Sequence, residues 1–144
     1  MNENDEHYSS KPHKDDPTRL IALTDGVFAI IMTILVLELH VPPASSNDEL
    51  KIHLIELGSK LFIYFVSFLL AGVYWVGHRS LFNLVKQVNN LLIWVNVVFL
   101  MVASLIPFGA NFLGQYPGMP MALQAYGLLL FLLAAWRLLM YFYV

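Results

Sequence analysis

Residues 19–41 read RLIALTDGVFAIIMTILVLELHV and are followed by Pro42 and Pro43. A run of this length and polarity suffices to cross the roughly 30 Å hydrocarbon core of a bilayer as one helix. The two prolines cannot continue the helix and close it. Upstream lie MNENDEHYSSKPHKDDPT, polar and mixed in charge. They read as a disordered tail over residues 1–18, because a cleavable signal peptide would need a basic start and a short apolar core. The first span is therefore expected to be retained.

Outward from this stretch the pattern repeats. The polar segment PPASSNDELKIHLIELGSK follows, its later part suited to an amphipathic lead-in, and the seventeen residues between Lys60 and His78 carry no formal charge. From Gln87 to Trp136 no charged residue occurs at all, which is too long for one crossing. Pro107, Gly109, Pro117, Gly118 and Pro120 divide it. The sequence thus predicts an all-α, polytopic transmembrane bundle with spans near 19–41, 58–82, 90–106 and 121–140.

Composition supports this class. Of 144 residues, 58% are hydrophobic and 12% charged, too little polar material to coat a water-soluble domain. The net charge of −2 and the placement of aromatics inside apolar runs leave no footprint for nucleic acid. With no cysteine there are no disulfides and no thiolate sites. Lys11, Lys14, Arg19, Arg79, Lys86 and Arg137 fall on one side of the spans and Lys51 and Lys60 on the other, so both termini are expected in the cytosol.

No HExxH, GxSxG, P-loop or paired-carboxylate pattern is present, and the five histidines are dispersed, so neither an enzyme nor a metal site is expected. A TVGYG-type filter is also missing, leaving side chains to supply any ion selectivity. At 100° per residue, Leu23, Val27, Ile30, Ile34, Leu37 and Val41 share one narrow apolar stripe, with Thr33 at its flank. Such a stripe fits ordinary packing in lipid or the lining of a symmetry axis. Asp25 lies about 140° round from Ile30. An acid inside a span costs a few kcal/mol unless it finds a partner or water; this angle turns it into the bundle, where Arg19, His78 and Arg79 share its end. Glu38 and His40 sit near the outer interface and read as a hydrated rim.

Arg19, the run Leu23-Thr24-Asp25-Gly26 and the following VFAIIMTILVLEL resemble the R-x-x-x-F-S-D signature and first helix of the lysosomal and bacterial potassium-channel family typified by transmembrane protein 175. Trp75-Val-Gly-His78-Arg79, Leu105-Ile-Pro-Phe108 and Gln115-Tyr-Pro117 are similar to the family's pattern as well. Leu23 and Thr24 replace the signature's Phe and Ser, and the two further helices of bacterial members lie outside this sequence.

The resemblance implies a potassium channel of a bacterial plasma membrane, assembled as a homo-oligomer, in bacterial members a tetramer. The first helix of each subunit would line the pore, with Ile30, Thr33 or Ile34, and Leu37 at the constriction. It also implies that Arg19, Thr24, Asp25 and His78 knit the cytosolic helix ends together, with Trp75 as packing. Its partners would be potassium ions, the lipid bilayer and further copies of itself, with no cofactor. Two other readings stay open: a proton-linked transporter or leak using Asp25, Glu38, His40 and His78, and a non-conducting scaffold.

Overall fold

The structure, a computed structural model, describes residues 17–85 and 88–144. The described residues form helices only: α1 (Pro17–Leu37), α2 (Asn47–Phe82), α3 (Asn90–Ala103), α4 (Ile106–Gln115) and α5 (Pro120–Tyr143). Four crossings result, because α3 and α4 together make one apolar span, Asn90–Gln115. The expected tail lies outside the described residues except for its last two, which already belong to α1. Pro17 is compatible with that place, since the first helical position needs no backbone N–H donor.

The first span is shorter at its far end than the sequence suggested. Helix α1 stops at Leu37 and loosens into a turn in which Leu39 N–H donates to the Val36 carbonyl at 3.1 Å. Proline disfavours helical backbone in the residue before it, so Val41 cannot prolong α1 into Pro42. The sixth position of the stripe therefore lies off the helix.

Helix α2 begins where Ser46 caps it. The Ser46 hydroxyl accepts from Glu49 N–H at 3.2 Å, while the Glu49 carboxylate reaches back to Ser45 N–H at 2.7 Å. This reciprocal arrangement satisfies donors that a helix start leaves unpaired. The polar lead-in and the second span are thus one helix of 36 residues, roughly 54 Å long at 1.5 Å per residue. It exceeds a bilayer core by several turns.

The third span corrects the expected role of Pro107. The stretch does break near the middle, but at Ser104–Leu105, and helix resumes at Ile106 instead of ending. Pro107 sits in the first turn of α4, where its missing N–H costs no hydrogen bond. The chain turns only after Gln115. Gly109 lets α4 close on α5, for a Cβ there would stand 2.7 Å from the Tyr126 ring.

The interior is built by Phe28, Ile31 and Leu35 of α1, Ala71 and Phe82 of α2, Phe99 and Ile106 of the third span, and Leu133 and Met140 of α5. Outward, α1 to α5 expose large apolar side chains over most of the surface, the pattern of a bundle solvated by lipid. Lipid supplies no hydrophobic drive to hold helices together, so packing and buried polar contacts must do so. Tyr126 donates to Ser67 at 2.8 Å, Tyr74 to the Leu130 carbonyl at 2.6 Å and Trp136 to the Val95 carbonyl at 3.1 Å.

Candidate functional site

Helix α1 packs against α2, α3 and α4, and its two faces differ completely. Leu20, Thr24, Phe28, Ile31 and Leu35, spaced by three or four residues, are buried. Roughly 100° round the helix from them, Leu23, Ile30, Ile34 and Leu37 are 47%, 58%, 38% and 66% exposed. Val27 is half-buried and Thr33 exposed. The Thr33 hydroxyl turns back on its own helix, donating to the Ala29 and Ile30 carbonyls at 3.0 and 2.9 Å. The apolar stripe is thus left largely uncovered by the other described residues. Val27, Ile30 and Ile34 form one wall of an open groove, and Ser104, Pro107 and Phe108 form the other.

At the end of the bundle that carries Arg79 and Arg137, α1 is tied to its neighbours by side-chain hydrogen bonds. Trp75 Nε1 donates to Asp25 Oδ1 at 2.7 Å, and the Arg79 guanidinium lies 5.8 Å over the same indole. Asp25 therefore meets a tryptophan N–H rather than the cationic side chains that share its end. Trp75 acts as a donor and not through packing alone.

Beside this pair, the buried Thr24 donates to the Leu20 carbonyl at 3.0 Å and accepts from Asn96 Nδ2 at 3.2 Å. Asn96 Oδ1 accepts from His78 Nε2 at 2.7 Å, the ring nitrogen carrying the proton because the amide offers an oxygen there. The His78 ring is stacked between Phe82 and Phe99, with centroids at 4.5 and 4.9 Å. Three helices are thereby joined through one chain, Leu20–Thr24–Asn96–His78. Full satisfaction matters in this setting, since an unpaired buried polar group costs far more than a made bond gains.

The structure brings Thr24, Asp25, Trp75 and His78 into this region and leaves Arg19 out. Arg19 is exposed on the first turn of α1, with no hydrogen bond or ion pair among the described residues. Asn96 is the member that sequence reasoning missed. Its signal was a side-chain amide well inside the charge-free third span, a place where polar groups need partners.

At the opposite end Glu38 is half-buried rather than part of a hydrated rim. It accepts from Asn111 Nδ2, and Asn111 Oδ1 accepts in turn from Gln115 Nε2 at 2.9 Å. His40 is exposed. Among the described residues no three metal-ligating side chains cluster.

The family model described as "Endosomal/lysosomal potassium channel TMEM175" matches residues 19–107, from Arg19 through the polar knot to Pro107. The chain belongs to the TMEM175 family. TMEM175 proteins are channels rather than enzymes, and this one is an integral membrane protein. It is 39% identical over 114 residues to a potassium channel of Chryseobacterium sp., covering 78% of this chain and 57% of that one. Over 118 residues it is 25% identical to the endosomal/lysosomal proton channel TMEM175 of Gallus gallus, covering 81% of this chain and 23% of the relative. The crystal structure of a lysosomal potassium-selective channel TMEM175 homolog from Chamaesiphon minutus superimposes with a TM-score of 0.81 at 29% identity, covering 86% of this chain and 69% of that chain. The chain spans about half the length of the bacterial TMEM175 relatives it matches.

Proposed function

We propose that the chain is a subunit of a potassium-selective channel of a bacterial plasma membrane. Potassium would pass down its gradient through a pore lined by α1 of each copy, with Ile30, Ile34 and Leu37 at the constriction and Thr33 beside it. One observation carries this reading: α1 buries one face within the subunit and leaves the adjacent apolar stripe open. One stripe cannot enclose a pore, so several copies are required, a homotetramer being the expected closed ring. Rings of isoleucine and leucine make a narrow, poorly wetted passage that admits an ion only with partial loss of its water. No cofactor takes part. The hydrogen bonds of Thr24, Asp25, Trp75 and His78 would hold the rotation of α1 so that the stripe keeps facing the axis. The Lys and Arg distribution favours an orientation with both termini in the cytosol.

Proton permeation is the second reading, favoured by the vertebrate relatives named as proton channels. Purified protein in potassium-loaded liposomes separates the two. Potassium efflux exceeding sodium efflux at neutral pH is the expected result. Acidification of the lumen without potassium flux would establish the proton reading, and silence toward both ions in lipids that support assembly would leave a scaffold.

A further inference from the structure

A second groove runs between α2 and α5 at the arginine-bearing end, about 520 Å³ in volume and open on the outside of the bundle. Leu84 and Leu138 line it along with Ser80 and Tyr141. Its floor is Gly77, and the Arg137 guanidinium lies so close over that glycine that a methyl group there would overlap it. The arginine is therefore folded between two spans, half-buried, instead of extending into water.

Arg137 makes no ion pair among the described residues. Asp25 is bonded to Trp75, and Glu38, Asp48, Glu49 and Glu56 belong to the other end of the bundle. Arg137 belongs to the apolar span Pro120–Tyr143, in which it is the only Lys, Arg, Asp or Glu. A guanidinium held there is costly unless an anion meets it, and its planar fork of donors matches two phosphate oxygens at once. Leu84 and Leu138, both more than half exposed, offer an apolar wall for a hydrocarbon chain.

We infer that this groove binds an anionic phospholipid, its phosphate held by Arg137 across Gly77 and one acyl chain laid between α2 and α5. The inference stands independently of conduction. A zwitterionic lipid fits less well, because its quaternary ammonium would enter a region already carrying Arg79 and Arg137.

The test is native mass spectrometry of the full chain released from detergent containing equal phosphatidylglycerol and phosphatidylcholine. The wild type is expected to retain phosphatidylglycerol about tenfold over phosphatidylcholine, the equivalent of one charge-assisted hydrogen bond. Arg137→Gln should bring the ratio close to one, and Arg137→Lys should leave an intermediate preference. Arg79→Gln, altering the cation stacked on Trp75, should leave it unchanged. Ala134→Phe fills the groove with the charge intact and should also remove the adduct, which covers the case of a misfolded Arg137 variant. Equal retention of both lipids by the wild type, or an undiminished preference in Arg137→Gln or Ala134→Phe, would overturn the proposal and assign the groove to a protein segment.

Discussion

On α1, Phe28, Ile31 and Leu35 are sealed against neighbouring helices, whereas Ile30, Ile34 and Leu37, a fraction of a turn away, stand open beside the α4 flank. All six are large and apolar, so chemistry alone does not separate them. Position does: the sealed face continues into Thr24 and its hydrogen bonds, and the open face carries no such anchor. A helix that keeps its polar contacts on one side has a fixed rotation, and the other side is thereby presented at a fixed angle.

The sharpest way to break this contrast is Phe28→Ala. It removes a fully buried ring packed at 6.1 Å from Phe99, and should cost about 3–5 kcal/mol, read as a large fall in the thermal midpoint of the detergent-solubilised protein. Ile30→Ala, on the open face, should leave the melting of the subunit nearly unchanged. Equal losses for the two would mean that the stripe is packed after all.

Next in size come paired asparagine substitutions. Leu35→Asn buries an amide without a partner and should lower expression and yield. Ile30→Asn should assemble, raise ion flux several-fold in liposomes and weaken discrimination of potassium from sodium, since a wetter ring asks less dehydration of the ion. A conducting, assembled Ile30→Asn protein with unaltered flux and selectivity would remove α1 from the pore at this level.

The polar knot should show smaller effects. Asn96→Leu strands the Thr24 and His78 groups and is expected to cost about 1–3 kcal/mol in thermal or denaturant unfolding, with the yield of oligomer falling in step. Asp25→Asn retains an acceptor for the Trp75 indole and should lose about 1 kcal/mol or less. A larger loss for Asp25→Asn than for Asn96→Leu would place the anchor of α1 at the tryptophan instead.

Thr33→Val is the finest test. The hydroxyl is exposed and spent on its own helix, so stability should move by less than about 0.5 kcal/mol. Any change in potassium over sodium preference measured for this variant would then report on the constriction and not on folding.

The sequence showed the crossings and the apolar stripe because both follow from local periodicity: charge-free runs of bilayer length and a fixed angle per residue. It also turned Asp25 away from the stripe by the same angle. What it did not show is non-local. The His78–Asn96 bond joins residues 18 apart and the Asn96–Thr24 bond residues 72 apart, and no spacing rule pairs them. Glu38 read as hydrated because its partner, Asn111, is 73 residues away. Pro107 read as a terminator because proline ends helices more often than it starts one within the same crossing.

The interruption at Ser104–Leu105 has a mechanical consequence. A continuous helix transmits torque because each turn is latched to the next, and here the latching changes register: Leu105 N–H reaches back only three residues, to the Val102 carbonyl, and Pro107 has no N–H to offer the Ala103 carbonyl. Twist applied to α3, through the Asn96 contacts with α1 and α2, is therefore poorly relayed to α4, whose Asn111 grips the far end of α1 at Glu38. The third span behaves as two rods on a soft joint, and the two ends of α1 are clamped by separate pieces that can yield one at a time.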